Sequence, residues 1–222
     1  MKYIYSQNAT GAVEQLTTTI AQLLATDKKV LWLVSGGSGG KVSVDVAKAL
    51  QDSPLENLFV TLSDERYGPL GHKDENWQLL LNDGFALPGA TLYRPLTGAS
   101  KEEITIQLTN WLSSTLDTVD YVIGLFGIGA DGHTAGIKPH SEAVTATTLA
   151  ASYTGDDFER ITITPVFMEH INEAVIQAFG KEKFPVIREL LTQDVLIDEQ
   201  PAQLLKHLPK TTVYSDYKEE TV

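Results

Sequence analysis

The sequence has no cysteine, which excludes disulfide staples, thiolate nucleophiles and cysteine metal sites, and suits a reducing compartment without requiring one. Long apolar runs are missing too. None approaches the ~20 residues of a membrane-spanning helix, and Met1-Lys2-Tyr3-Ile4-Tyr5-Ser6-Gln7 has no apolar centre of a secretory signal. Cations are scarce: 17 Lys and Arg stand against 29 Asp and Glu, a formal net charge of −12. General attraction to nucleic acid or to an anionic membrane is therefore not expected, although a local positive pocket for a small anion is compatible with that balance. Metal-ligand spacing of the H-E-x-x-H kind is absent, as are internal repeats, low-complexity segments and linkers. What is present is 42% hydrophobic content in 222 residues, enough for one sizeable core. The expectation is a single cytoplasmic domain spanning residues 1–222, as a monomer or a homodimer.

Hydrophobic spacing orders the chain. Val13, Leu16, Ile20, Leu23 and Leu24 predict an amphipathic helix over about Gly11 to Thr26, feeding the buried strand Val30–Val34. That strand ends in Ser35-Gly36-Gly37-Ser38-Gly39-Gly40, after which Val42, Val46, Ala49 and Leu50 resume helical spacing. Strand, glycine-rich turn and helix in this order place free N–H groups and a positive helix end in one spot, which suits a phosphate better than a flexible connector does. A second strand, Leu58–Leu62, delivers Asp64-Glu65-Arg66, either to a site or to an internal salt-bridge cluster. The charged stretch from Leu70 to Trp77 predicts a surface loop able to fold over a site. Ile104, Leu108, Trp111 and Leu112 mark another helix. Ser141 to Asp157 reads as loop with one short strand at most. Arg160–Thr164 alternates as a strand, Pro165 opens a helix reaching about Asn172, and Ala174–Phe179 is a strand. Gly180-Lys181 starts a helix, Leu204 and Leu205 lie in a short one, and Thr211–Tyr214 closes the sheet. Strands alternating with helices imply an α/β fold with a mostly parallel sheet covered on both faces.

The central feature is Gly127-Ile128-Gly129-Ala130-Asp131-Gly132-His133-Thr134-Ala135, directly after the apolar run Tyr121–Phe126. Such a run reads as a fully buried strand, and ligands of open α/β sheets sit beyond the carboxyl ends of these strands. A histidine beside an aspartate there is equipped for proton transfer near neutral pH. A metal site is the rival reading of Asp131 and His133.

Five motifs in order, Ser35-Gly36-Gly37-Ser38, Asp64-Glu65-Arg66 with Asn76 and Trp77 behind, Gly127 to Ala135, Arg160-Ile161-Thr162, and Gly180 with Lys181 and Lys183, span nearly the whole chain. On them the chain resembles the 6-phosphogluconolactonase family, within the superfamily that includes glucosamine-6-phosphate deaminase. The resemblance implies a three-layer α/β/α sandwich with a Rossmann-like sheet. It also implies hydrolysis of 6-phosphoglucono-1,5-lactone, the second step of the oxidative pentose phosphate pathway, without metal or organic cofactor. A lactone carbonyl is already electrophilic, so His133 is expected as general base towards water, with Asp131 orienting it. Asp64 and Arg66 are candidates for carbonyl or hydroxyl contacts. By resemblance, Ser35, Gly36, Gly37, Ser38, Arg160 and Lys181 are candidates for the phosphate.

Two stretches depart from the family pattern. Gly39-Gly40 stand where Ser38 is usually followed by Thr-Pro, and Gly136-Ile137-Lys138-Pro139 stand where Ser-Leu-Phe-Pro is usual. Lys138 falls where the amino-sugar isomerases carry a glutamate that assists ring opening, which argues against that reaction. Its side chain either supplements phosphate or carboxylate binding or faces solvent, the second reading being slightly preferred. A non-catalytic sugar-phosphate-binding module is the remaining alternative. His72 and His140 are expected to be solvated, and His170 and His207 to be packing or surface residues.

Overall fold

Strands that are apolar at every position must be covered on both faces. In the computed structural model, which describes residues 1–218, such runs form the centre of a seven-stranded sheet. Its members are β1 (Lys2–Tyr5), β2 (Val30–Val34), β3 (Leu58–Leu62), β5 (Thr91–Leu92), β6 (Tyr121–Gly127), β9 (Glu173–Ala178) and β10 (Lys210–Ser215). All neighbours pair in parallel, in the order β1-β10-β9-β6-β2-β3-β5. Alternation divides each central strand between two cores. Val30, Trp32, Val34, Ile123 and Leu125 face helices α1 (Thr10–Leu24), α2 (Gly40–Ala49) and α3 (Asn76–Asn82). Leu31, Leu33, Val122 and Phe126 face α4 (Lys101–Leu116), α5 (Pro165–Met168) and α6 (Phe184–Thr192). This is the α/β/α sandwich that the sequence predicts. Among the described residues no helix is long and apolar enough to cross a membrane.

The chain leaves β2 towards β3 and β5, then returns to the other side of β2 for β6, β9 and β10. The crevice between the carboxyl ends of β2 and β6 is therefore the topological switch point, where loops part and a ligand fits.

Several elements differ from expectation. Arg160–Thr164 does not join the parallel sheet. It lies in β8 (Glu159–Ile163), the middle of a separate antiparallel sheet with β4 (Asp64–Arg66) and β7 (Ala150–Thr154). The helix after Pro165 lasts one turn, because Asn172 is drawn into the main sheet: its N–H donates to the Val122 carbonyl (2.9 Å) and its Oδ1 accepts from the Val122 N–H (2.7 Å). The charged stretch before Trp77 is not all surface. Glu75, Asn76 and Trp77 are buried, and the Arg94 guanidinium holds the Glu75 carboxylate through Nε (2.6 Å) and Nη2 (2.8 Å). Pairing through two donors is what allows a glutamate to leave water. His72 is likewise not simply solvated; its Nε2 lies 3.0 Å from the Arg66 carbonyl, which ties this loop back onto β4.

Candidate active site

A cleft of about 320 Å³ opens at the switch point. The turn after β2 forms its floor. Gly37 takes the left-handed backbone conformation (φ 49°) and starts a 3₁₀ turn, Gly37–Gly39, that runs into α2. The first N–H groups of such a turn have no intrahelical acceptor, so the floor presents donors. Gly39 has a packing reason: a Cβ there would stand 2.6 Å from the Ser35 side chain. The Ser43 hydroxyl then fixes Ser35 by donating to its carbonyl (3.0 Å) and accepting its N–H (3.3 Å). The departure at Gly39-Gly40 thus closes the turn tightly against the start of α2.

The small antiparallel sheet forms the opposite wall. Alternation along β4 buries Glu65 and turns Asp64 and Arg66 towards the cleft. The triplet thus lines the cleft through Asp64 and Arg66 while Glu65 is buried behind them, and its ion pair is made by Asp64, with Arg160. The Glu65 carboxylate accepts the N–H groups of Arg66 (2.7 Å), Asn76 (2.6 Å) and Trp77 (2.9 Å), so it caps α3 from a neighbouring strand. Burial pushes its carboxyl up to about 8 against the pull of these three donors. Register sets Arg66 directly opposite Arg160. Two cations facing each other are unfavourable unless anions intervene, and here anions do: Arg160 reaches Asp157 (2.8 Å) and Asp64 (3.5 Å). Arg66 instead lies over the Phe158 ring, 4.4 Å from its centroid, with no carboxylate partner among the described residues. Burial pushes Asp157 up, but Arg160 and Lys138 outweigh it and hold the carboxyl below its usual range.

The loop after β6 supplies a bonded aspartate–histidine pair. Asp131 Oδ1 lies 2.5 Å from His133 Nδ1 and also accepts the His133 N–H at 3.2 Å. The bond to His133 pulls the Asp131 carboxyl down to about 2, against partial burial. Among the described residues nothing bonds His133 Nε2, and His133 lines the cleft. Gly129 sits beneath the pair, where a Cβ would collide with both side chains. Ala135 is forced into the left-handed region (φ 49°). Neighbouring anchors hold it there: the Thr134 hydroxyl donates to the Gly127 carbonyl (3.0 Å), and Gly136 N–H donates to Thr162 Oγ1 (3.0 Å). Gly136 also has to be small, since a Cβ would stand 2.9 Å from that of Asp64.

Of the sequence candidates, Ser35, Gly36, Gly37, Ser38, Asp64, Arg66, His133 and Arg160 line this one cleft, and Asp131 joins through His133. Lys181 does not line it; it is exposed, and Lys183, two residues on, occupies the wall. Residues 181–183 form a 3₁₀ turn, and nothing in the order Lys-Glu-Lys says which lysine faces inward. Lys138 does not line the cleft itself and is half-buried rather than simply solvated: its Nζ is 3.6 Å from Oδ2 of Asp157, which does line it. Sequence reasoning also missed Asp157 and Phe158. The signal was present, since Gly155-Asp156-Asp157 is turn composition between two short alternating runs. His140 is exposed and pairs with Asp198 at 2.7 Å, away from His133.

The family described as glucosamine-6-phosphate isomerases/6-phosphogluconolactonase matches residues 5–214. A 6-phosphogluconolactonase of Synechocystis sp. is 26% identical over 201 residues, covering 86% of this chain and 83% of that one. The 6-phosphogluconolactonase of Haemophilus influenzae is 25% identical over 218 residues, covering 93% and 92%. In fold, the crystal structure of 6-phosphogluconolactonase from Thermotoga maritima aligns with a TM-score of 0.83 at 23% identity, covering 96% of this chain and 98% of that one. With its motifs gathered at the switch point and its match running almost from end to end, the chain belongs to the glucosamine-6-phosphate isomerase/6-phosphogluconolactonase family.

Proposed function

We propose that the chain hydrolyses 6-phospho-D-glucono-1,5-lactone to 6-phospho-D-gluconate, the lactonase step of the oxidative pentose phosphate pathway, with no metal or organic cofactor. The observation that carries this reading is the His133–Asp131 pair opening onto the same cleft as Arg66, Arg160 and Lys183. Asp131 accepts from His133 Nδ1, which leaves Nε2 as a lone pair directed away from the aspartate. Nε2 takes a proton from water, and the oxygen of that water adds to the lactone C1. The oxyanion then collapses, the bond from C1 to the ring oxygen breaks, and the imidazolium returns its proton to that oxygen. The new carboxylic acid ionises in solvent. The cations and the N–H groups of the Gly37–Gly39 turn bind the phosphate, with Lys183 taking the part that resemblance gave to Lys181.

The isomerase reaction of the same family is disfavoured by the loop after His133. Among the described residues only Asp131 among the carboxylates bonds that histidine, and Lys138 is committed to Asp157. The test is lactone opening with freshly generated substrate, measured against the spontaneous rate. Wild type should accelerate it, and His133→Ala should lose ~10²–10⁴ of the acceleration. No acceleration by folded wild-type protein would overturn the reading, and tight binding of 6-phosphogluconate in that case would mark a binding module.

A further inference from the structure

Asn76 stands in the cleft wall with half of its hydrogen-bonding capacity unused. It is 3% exposed. Its N–H donates to Glu65 Oε1 (2.6 Å) and its Nδ2 donates to the Asp64 carbonyl (3.2 Å). Its Oδ1 is buried and has no partner. The amide orientation follows from this: turning it over would press Oδ1 against the Asp64 carbonyl oxygen. A buried acceptor without a partner is uncommon and asks for a ligand or an ordered water. Gly36 makes the arrangement possible, because a Cβ there would collide with the Asn76 carboxamide.

The rest of the wall shows what this acceptor is for. Arg66, Arg160, Lys183 and the glycine-rich turn are all donors, and the two carboxylates, Asp64 and Asp157, are drawn to Arg160. An oxyanion or a phosphate oxygen would be repelled by Oδ1. A neutral O–H is the partner it suits. We propose that Asn76 is a substrate-contacting residue whose Oδ1 accepts a hydrogen bond from one hydroxyl of the sugar lactone and thereby selects it over the corresponding deoxy compound. Glu65 acts through it as a positioning residue, fixing where α3 begins. The inference rests on the lactonase reading for the identity of the ligand.

The experiment compares kcat/KM for the parent lactone with that for three analogues lacking the hydroxyl at C2, C3 or C4. Wild type should disfavour one analogue by about ten-fold, the effect of one neutral buried hydrogen bond. Asn76→Ala should lose about ten-fold on the parent and nothing further on that one analogue, while the other two keep their wild-type ratios. An equal loss on all four substrates would reduce Asn76 to a structural role and overturn the proposal, as would an unchanged parent rate. Asn76→Ser supplies the same comparison should Asn76→Ala fail to fold. If wild type accelerates none of the lactones, the lactonase reading fails, and the same four-way ratios are then read from calorimetric binding of the open-chain phosphogluconates. Absence of any Asn76-dependent preference there would also overturn the proposal.

Discussion

Gly36→Ala isolates one contact. Gly36 has φ −85° and ψ −159°, extended backbone that alanine adopts without strain. Whatever the substitution costs must come from what the new methyl meets. That is Asn76: the methyl would stand 2.6 Å from its Cβ and closer still to its carboxamide. Asn76 has little room to retreat, being held at its N–H by Glu65 and at Nδ2 by the Asp64 carbonyl. Overpacking of this kind costs ~1–3 kcal/mol, and breaking the Nδ2 bond adds ~1 kcal/mol. The expected loss is thus ~2–4 kcal/mol, tolerable within the ~5–15 kcal/mol of a folded domain. Urea unfolding measures it. Gly36→Ala with Asn76→Gly should recover at least ~1 kcal/mol relative to Gly36→Ala alone, without restoring activity. Gly37→Ala is the control. At φ 49° its cost is backbone strain, with only Arg66 nearby, at 3.8 Å, so Asn76→Gly should not relieve it. A Gly36→Ala variant within ~0.5 kcal/mol of wild type, or one equally destabilised in both backgrounds, would refute the clash.

Asp131→Asn offers His133 an amide in place of the carboxylate that now accepts from Nδ1, so kcat should fall ~10²–10⁴-fold while KM changes little. A change in KM alone would mean that Asp131 contacts substrate rather than orienting the base. Lys183→Met should raise KM for the phosphorylated lactone by ~10-fold, whereas Lys181→Met should not; the reverse order would return the phosphate role to Lys181. Burial lifts Glu65 from the ordinary 4.5 of a glutamate to about 8, so between those values the native state holds a proton that the unfolded chain has released. Stability should therefore fall as pH rises through that window. Urea midpoints for wild type and Glu65→Gln measured from pH 4.5 to pH 8 check this, and an identical slope in both proteins would exclude Glu65 as its source.

The strands at the centre were legible because burial on both faces leaves an unbroken apolar run, as in Val30–Val34 and Tyr121–Phe126. Edge strands carry no such mark. Lys2–Tyr5 is exposed at both ends and Thr91–Leu92 throughout, so β1 and β5 gave no signal. Arg160–Ile163 showed its alternation but not its partner, since the pairing of β4 with β8 joins residues about a hundred positions apart in sequence. Glu75 and His72 were misread for a related reason: a polar residue is taken for solvent-facing unless its partner is visible, and Arg94 lies 19 residues from Glu75, while the partner of His72 is a backbone carbonyl, which every residue carries and no sequence pattern marks. The pairing of Asp131 with His133 was legible because the two are two residues apart and the glycines around them announce a close approach. Lys183 was not, because the sense of a 3₁₀ turn is decided by what it packs against.

The cleft wall is assembled from six separate stretches of chain between Ser35 and Lys183. No fragment ending before Lys183 contains it, and no local unit can fold into it first. Binding competence therefore belongs to the assembled chain, in which β8 is paired with β4 across the longest sequence separation in the small sheet. It follows that ligand should protect the chain against global unfolding rather than stiffen one loop, adding ~2.7 kcal/mol at a hundred-fold excess over its dissociation constant. Occupancy and complete folding become a single equilibrium, and a cell short of substrate would hold this chain closer to the reach of its proteases.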